Sequence, residues 1–284
     1  MKFAICNEIF WTEDAGKWTI ARQFEAAAQI GFDGLEISPF TLNFDARKIT
    51  DEQKQAVRDA SAATGVAVAG IHWLLSRTEG FHVNDPDPEV RERTARYMEG
   101  LVRLGIELGG SMMVVGSPQQ RFVQSNKGVT YAQAWGWFRD CMRRCGEVGL
   151  DADFKVCIEP LAVGTDNNFI IRAAEARQMA AEVALPNVGI ILDTYSGLQQ
   201  EVDLPAEIRA SRDVLFHYHC NDLNKRAPGW GNVDFVPMMR ALLDIDFQRY
   251  ASIEVFDFEP DAFEHCKKGL ETLKAALEVA KQGG

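Results

Sequence analysis

Residues 131–159 read YAQAWGWFRDCMRRCGEVGLDADFKVCIE, and they contain a helix pattern, a turn and a strand pattern in that order. Apolar residues recur at helical spacing over residues 131–148, and Gly149 follows them, as glycine often does where a helix ends. Residues 154–159 form a short apolar run that ends in a carboxylate, which is typical of a buried strand in a parallel sheet. This stretch predicts one helix and strand unit of an α/β protein.

The same alternation continues in both directions along the chain. Eight such units in 284 residues predict an α/β fold, a single-domain (β/α)8 TIM barrel over residues 1–284. An open nucleotide-binding sheet is disfavoured, because neither GxGxxG nor GxxxxGK[ST] occurs. The predicted strands are residues 3–7, 34–37, 66–73, 111–116, 154–159, 188–193, 214–219 and 251–256, and the predicted helices include 18–30, 51–64, 89–108, 131–148, 170–183, 262–281 and a short one near 205–211.

The composition narrows the class of partner. The chain is 46% hydrophobic, enough for one large core, and its formal net charge of -11 would repel phosphate backbones. We therefore expect a small-molecule partner and no nucleic acid. No signal-peptide pattern or long apolar segment occurs, so we expect no membrane association and a cytoplasmic location. The six cysteines are expected in the core, because the suspicious pair Cys141 and Cys145 lacks companion ligands for zinc.

Four strong metal ligands stand at the carboxyl ends of the last four predicted strands: Glu159, Asp193, His219 and Glu254. In a barrel, polar residues at this end of a strand face the active site. Neighbouring strands lie roughly 4.8 Å apart, so the four side chains can converge on one ion. Three carboxylates and one imidazole form a hard donor set, which favours Mn²⁺, with Mg²⁺ or Co²⁺ as alternatives.

Each of these ligands alone has an ordinary structural explanation. A carboxylate at a strand end commonly caps the next helix or pairs with an arginine. Four such residues in register are harder to explain this way, because each follows an apolar run in which an unpaired charge would be costly. A shared divalent cation relieves that cost for all four together.

In their order and spacing, six motifs resemble those of the xylose isomerase-like TIM-barrel family of sugar phosphate isomerases and epimerases. Within that family they resemble the ketose 3-epimerases related to D-tagatose 3-epimerase, and the resemblance covers the whole chain. The motifs are GFDGLEI at residues 31–37, GIHW at 70–73, IEPL at 158–161, LDTY at 192–195, HYHCND at 217–222 with PGWG at 228–231, and IE at 253–254.

The resemblance implies a metal-dependent isomerase that acts on a free ketose. The substrate would bind the ion through its C2 and C3 oxygens, with Glu159 and Glu254 on opposite faces of C3. One glutamate would remove the C3 proton and the other would return it, through an enediolate whose charge the ion stabilises. Related enzymes are often dimers or tetramers, so we expect a homodimer or homotetramer.

Several further residues are expected around the substrate or behind the metal. Aromatic side chains near the barrel mouth could stack on a sugar, and basic loop residues could donate hydrogen bonds to it. His217 lies two residues before His219, on the same side of its strand, and is expected to support the ligands. The expected substrate-binding residues are His72, Trp73, Asp166, Lys225, Arg226, Trp230 and Trp11.

The chain departs from the epimerase pattern at two positions. Ser196 stands where many family members have a substrate-contacting histidine, three residues after Asp193. Thr165 stands where the pattern has a second glutamate, and the adjacent Asp166 is its nearest substitute.

Other functions on the same fold remain open. A dehydratase of a keto-inositol or dehydroshikimate-like substrate would use the same four ligands. A DNA-cutting relative with three zinc ions is disfavoured, because it would need more histidines and a basic track. A non-catalytic barrel would be favoured by the loss of a ligand, and none is lost.

Overall fold

Eight parallel strands close into one barrel in sequence order, with β8 pairing back to β1. The fold comes from a computed structural model that describes residues 1–11, 18–163, 167–200, 203–257 and 261–282. This topology confirms the predicted (β/α)8 fold. The strands are β1 (Lys2–Cys6), β2 (Gly34–Ile37), β3 (Ala67–Ile71), β4 (Met112–Val115), β5 (Lys155–Ile158), β6 (Val188–Asp193), β7 (Leu215–Cys220) and β8 (Tyr250–Ile253).

Helices follow the strands and pack outside the barrel. Among the described residues they are α1 (Ile20–Ile30), α2 (Asp51–Thr64), α3 (Pro88–Glu107), α4 (Tyr131–Gly149), α5 (Ala173–Val183), α6 (Thr194–Gln199), α7 (Leu204–Ala210), α8 (Val236–Asp244) and α9 (Ala262–Gln282). The short helix expected near residues 205–211 is α7, and α6 precedes it directly after β6. None of the described helices is both long enough and apolar enough to cross a membrane.

Helix starts are fixed by side chains that the sequence places at the right spacing. Thr50 and Gln53 form a capping box at the start of α2, and Thr130 and Gln133 form another at the start of α4. In each box the threonine accepts from the third backbone N–H while the glutamine accepts from the N-cap N–H. These caps set where each helix leaves its preceding loop.

The glycines after two helices serve different purposes. Gly31 ends α1 with φ 97°, a left-handed conformation that glycine adopts without steric cost. Gly149 was expected to cap α4 in the same way, but it is the last residue of the helix and Leu150 follows in a right-handed conformation. A Cβ at Gly149 would lie 3.0 Å from the Phe154 carbonyl oxygen, so this glycine permits close packing of α4 on β5.

Side chains alternate between two buried faces along each strand, one toward the helices and one into the barrel. On β5, Val156 and Ile158 belong to the large core shared with the helices, whereas Cys157 belongs to a separate small cluster with Ile191. Glu159 is two residues after Cys157, so the same alternation carries it into the barrel mouth. The strands are therefore buried on both faces, and the inner face becomes polar toward its carboxyl end.

Pairing around the barrel is uneven. Only Ile71 and Met113 are in register between β3 and β4, whereas every other pair of neighbouring strands shows three or four residue pairs. At this seam Gly70 packs directly on β4, because a Cβ there would overlap the Met112 carbonyl. Glycine is thus required for the close approach of the two strands.

Candidate active site

The carboxyl ends of β5 to β8 bring four side chains together: Glu159, Asp193, His219 and Glu254. One ligand atom from each lies within 4.8 Å of those from the other three, and all four residues are buried. We call this group the four-ligand cluster. The structure thus gathers all four residues for which the sequence predicted a shared metal.

Each member reaches the cluster from the end of its own strand. Asp193 is the last residue of β6, and His219 is the last but one of β7. Glu159 and Glu254 each lie one residue beyond the end of their strand, not inside it as predicted. Their backbone N–H groups still bond to the preceding strands, at Val115 and Cys220, so both are held in the barrel register.

Asp193 both caps helix α6 and occupies a ligand position in the four-ligand cluster. Its Oδ1 accepts a hydrogen bond from the Ser196 backbone N–H at 2.6 Å and so caps helix α6. Its Oδ2 accepts from Asn221 Nδ2 at 2.7 Å. These two bonds fix the carboxylate plane, so the orientation of Asp193 does not depend on a ligand.

The two glutamates of the cluster are held in different ways. Glu254 is bonded at both oxygens, to Trp73 Nε1 at 2.6 Å and to His219 Nδ1 at 3.1 Å. No hydrogen bond reaches the Glu159 carboxylate from the described part of the chain. Its space is created by Gly116, because a Cβ at that position would overlap Glu159 Oε2.

Burial and mutual repulsion dominate the electrostatics of the cluster. Burial raises the pKa of Glu159 to about 8 and that of Asp193 to about 6, and the Glu254 charge adds to both shifts. Burial acts on Glu254 in the same direction, but the adjacent His219 outweighs it and holds the pKa of Glu254 below its ordinary value. Three carboxylates therefore share a site with too little positive charge to neutralise them.

A buried arginine near Glu159 supplies part of that charge. Arg121 donates from Nη1 to the Val115 carbonyl at 3.0 Å, while its Nε and Nη2 have no hydrogen-bond partner among the described residues. Burial lowers the pKa of Arg121 to about 10, and Glu159 acts against this shift. Arg121 was not predicted from the sequence, since a lone arginine in a loop carries no signal of burial.

The donor set fits a divalent cation. Three carboxylates and one imidazole within 4.8 Å match the oxygen-rich ligands that hard cations prefer. The raised pKa values of Glu159 and Asp193 show that the site destabilises its own negative charge, which a cation would neutralise. His219 presents Nδ1 on the side of Glu254, while its Nε2 faces away toward Glu36.

Behind the cluster, Glu36 lies among three histidines. Its carboxylate is 2.8 Å from His217 Nε2, 3.2 Å from His219 Nε2 and 3.6 Å from His72 Nδ1. We call this group the histidine layer. Burial acts to raise the pKa of Glu36, but the three imidazoles outweigh it and hold that pKa well below its usual range. An ionised Glu36 orients His219 as carboxylates commonly orient metal-binding histidines.

The histidine layer continues to a second buried acid. Glu8 Oε2 is 2.7 Å from His72 Nε2 and 3.4 Å from the Ser38 hydroxyl. His72 is fully buried in this network, and it does not line the cavity that opens beside Glu159 and Glu254. Its position therefore favours support of the metal ligands over contact with a sugar. Glu36 and Glu8 carried no predicted role, although a carboxylate inside the apolar run GLEI at residues 34–37 was a usable signal.

A cavity of about 270 Å³ opens above the two glutamates. It is bounded by the loops that follow β3, β4, β5 and β8, and its wall is mixed aromatic and polar. Positive φ angles occur at Trp73 (50°), Arg77 (59°) and Ser117 (50°), which all line it, so its wall is built on constrained backbone. The lining residues are Trp73, Ser76, Arg77, Val114, Gly116, Ser117, Pro118, Gln119, Gln120, Glu159, Leu161, Glu254 and Phe256.

Aromatic side chains form one wall of this cavity. The Trp73 ring stacks between Phe40, at 5.8 Å, and Phe256, at 5.7 Å between centroids. Trp11 lies beside Phe40 at 5.6 Å, and the Arg77 guanidinium sits 4.4 Å from the centre of the Trp11 ring. The predicted residues Trp11 and Trp73 therefore belong to one connected aromatic group beside the glutamates.

The other predicted substrate residues are placed elsewhere. Trp230 packs on His265 at 4.7 Å and lines a different, larger cavity with residues 222–224 and 231–234. Arg226 is paired with Asp257 at 2.8 Å, and Lys225 Nζ lies 5.6 Å from the Tyr195 ring. Asp166 lies outside the described residues.

The model of the xylose isomerase-like TIM barrel family matches residues 24–281. D-psicose 3-epimerase of Ruminiclostridium cellulolyticum is 24% identical over 236 residues, which cover 82% of this chain and 76% of that protein. 3-Dehydro-D-guloside 4-epimerase of Escherichia coli is 27% identical over 259 residues, covering 89% and 92% respectively.

Solved structures show the same architecture. The structure of D-psicose 3-epimerase with D-tagatose from Clostridium cellulolyticum H10 has a TM-score of 0.80, at 21% identity and 99% coverage of both chains. At this identity the likeness concerns the fold, and the family match rests on the sequence of residues 24–281. The chain belongs to the xylose isomerase-like TIM barrel family.

Proposed function

We propose that this protein is a divalent-metal-dependent sugar epimerase that inverts C3 of a free ketose. The observation that carries the proposal is the convergence of Glu159 and Glu254 with Asp193 and His219, together with the cavity that both glutamates line. Two carboxylates that share a cavity can remove a proton and return it on another face of the same carbon. The named relatives are epimerases of psicose and of a dehydroguloside, which supports this class.

The four-ligand cluster would hold the cation, with Mn²⁺ as the expected ion and Mg²⁺ or Co²⁺ as alternatives. The cation would polarise the substrate carbonyl and stabilise the negative charge that develops when the neighbouring C–H loses its proton. The chain's own residues must then orient the substrate, exclude water and move the proton.

Glu159 and Glu254 are the proposed acid and base. The carboxylate that faces the C–H takes its proton, and the other carboxylate supplies a proton to the opposite face. Trp73 and Phe256 offer an apolar wall against the carbon chain, and Ser117 and Gln120 offer polar groups for its hydroxyls. His72 and His217 are proposed to support the ligands from the histidine layer.

We propose one domain over residues 1–284, a cytoplasmic location, a homodimer or homotetramer, and an unphosphorylated sugar or polyol as substrate. Asp166, Lys225, Arg226, Trp230 and Trp11 are retained as proposed substrate contacts from the loops.

The test is proton exchange on a panel of substrates. Fructose, psicose, tagatose, sorbose, ribulose, xylulose, a 3-dehydroglycoside and keto-inositols are incubated with the Mn²⁺-loaded protein in D2O and followed by proton NMR. We expect deuterium at C3 of one ketose together with its C3 epimer, and loss of both in Glu159→Gln and Glu254→Gln. Glu278→Gln, on the exposed surface of α9, is the matched control and should retain activity.

Each other outcome selects a different function. Inversion at C4 of the 3-dehydroglycoside would show that the inverted carbon is C4 and not C3, with the same two glutamates as acid and base. An enone or dione signal from loss of water would establish the dehydratase. No exchange on any substrate, together with no bound metal, would refute catalysis and favour a binding protein.

A further inference from the structure

Trp73 connects the aromatic wall of the cavity to one of the two glutamates. Its indole Nε1 donates a hydrogen bond of 2.6 Å to Glu254 Oε1, across 181 positions in the sequence. We propose that Trp73 is a positioning residue that fixes Glu254 for proton transfer, and that this role comes in addition to walling the substrate. The proposal rests on the proposed epimerase function.

The backbone at Trp73 is adapted to this contact. Trp73 has φ 50°, in the left-handed region that bulky residues rarely adopt. It follows β3 directly after His72, and its carbonyl accepts from the Ser76 N–H at 3.1 Å in a tight turn. The turn directs the side chain across the mouth toward β8. A strained residue beside reacting groups is typical of a device that holds geometry.

Two stacked aromatic rings then clamp the indole. Phe40 stacks against it with an interplanar angle of 29°, and Phe256 stacks against it with 22°. These contacts leave the indole little freedom to rotate, so the N–H keeps its direction toward Glu254. Phe256 is two residues after Glu254, and the same loop therefore supplies both the carboxylate and half of the clamp.

This arrangement makes the two glutamates unequal. Glu254 accepts the Trp73 hydrogen bond at Oε1, whereas the described residues donate no hydrogen bond to Glu159. Removing the indole N–H should therefore disturb proton transfer on the Glu254 face alone. A residue that only forms the wall of the cavity would affect substrate binding. That effect would be the same in both directions of the reaction.

The test uses Trp73→Phe, which keeps an aromatic ring at the same position and removes the N–H. In one direction Glu159 takes the C3 proton, the C–H electrons form the enediolate, and Glu254 delivers a proton to the opposite face. In the other direction the roles reverse. We expect kcat to fall roughly 10- to 100-fold in both directions, with KM within about threefold of the wild type.

The decisive measurement is the ratio of deuterium in recovered substrate to deuterium in product, taken in D2O from each epimer separately. When Glu159 removes the first proton, the variant's Glu254 protonates the intermediate slowly. The intermediate then returns to substrate more often, and the ratio rises. When Glu254 instead removes the first proton, Glu159 completes the reaction readily and the ratio falls. Trp73→Phe should therefore shift the two ratios in opposite directions.

Phe256→Leu is the matched control, because it removes half of the clamp while Trp73 retains its N–H. We expect this variant mainly to raise KM and to leave the partition ratios closer to those of the wild type. Unchanged ratios in Trp73→Phe, or equal shifts of one sign, would overturn the positioning role. Absence of turnover and exchange in the wild-type protein would instead refute the epimerase function itself.

Discussion

Replacing Glu36 with glutamine tests whether the histidine layer controls the metal site. Glu36 is fully buried and receives hydrogen bonds from His217 and His219, while its own charge is retained by the three surrounding imidazoles. Glutamine has nearly the same shape, but it offers one acceptor oxygen in place of two and no charge. The substitution therefore removes the charge and one of the two acceptors that orient His217 and His219, without creating a cavity.

Two magnitudes follow from this geometry. Loss of a carboxylate behind a metal-binding histidine typically weakens metal binding about 10- to 100-fold, which is roughly 1.4–2.7 kcal/mol. Hydrogen bonds to a charged group contribute about 1.5–3 kcal/mol each, and glutamine preserves about one of the two. We expect the unfolding free energy to fall by about 2 kcal/mol, or a Tm loss of roughly 4 °C for a chain of this size.

The assay is isothermal titration of metal-free protein with Mn²⁺, with thermal unfolding measured on the same samples. Glu8→Gln is the matched control, because Glu8 bonds to His72 and not to His219. It should lower the stability comparably and change the Mn²⁺ affinity less than about threefold. The reasoning is refuted if Glu36→Gln binds Mn²⁺ within twofold of the wild type, or if Glu8→Gln weakens binding equally.

Three further outcomes follow from the four-ligand cluster. Mn²⁺ at 100 times its Kd should stabilise the protein by about 2.7 kcal/mol, so a chelator should lower the Tm in calorimetry by roughly 5 °C, and equal melting with and without it would contradict a bound metal. Because burial raises the pKa of Glu159 to about 8, the metal-free site holds a proton below that pH, and metal must displace it. Burial lowers the pKa of His219, but Glu254 and Glu36 outweigh it and hold that pKa well above its ordinary value, so the His219 proton must leave as well. The Mn²⁺ affinity should therefore rise at least about tenfold per pH unit from pH 6 to 8, and titrations in buffers of different ionisation enthalpy should show proton release; a pH-independent affinity would argue against this. Gly116→Ala should lower kcat at least about tenfold while the circular dichroism spectrum is kept, because the new methyl group takes the space of Glu159 Oε2; full activity would show that the carboxylate has another position.

The fold was predictable because its signal is repeated eight times. Each apolar run and each helical stretch is weak alone, but their alternation leaves few topologies, and the closed barrel was confirmed. Boundaries were less accurate. The first predicted strand included Asn7, which begins a short 3-10 helix, and the third was extended through Trp73, where the backbone has already turned. Such shifts depend on local hydrogen bonds that apolar periodicity does not encode.

The site was predictable where a polar residue ends an apolar run, and less so where it interrupts one. Asp193 and His219 lie at the ends of their strands, Glu159 and Glu254 directly follow theirs, and all four were found from that position. Glu36 lies within a four-residue strand whose members are all buried. The inner face of a closed barrel can bury a carboxylate beside imidazoles, so a charge inside a strand is compatible with the fold. Recognising its partners requires the pairing of β2 with strands far away in sequence.

Because the ladder between β3 and β4 is uneven, we expect local opening of the barrel to occur first at this seam. Local opening costs least where few backbone hydrogen bonds must break, and this seam has one residue pair in register, Ile71 with Met113. The loops that leave these two strands carry Trp73 and Ser117 on the wall of the cavity. Local opening at the seam would therefore shift Ser117 and its loop, whereas Trp73 is held by its hydrogen bond to Glu254, and the strands from β5 to β8 share three or four residue pairs at each step. The four metal ligands and the expected site of local opening thus lie in opposite halves of one closed sheet.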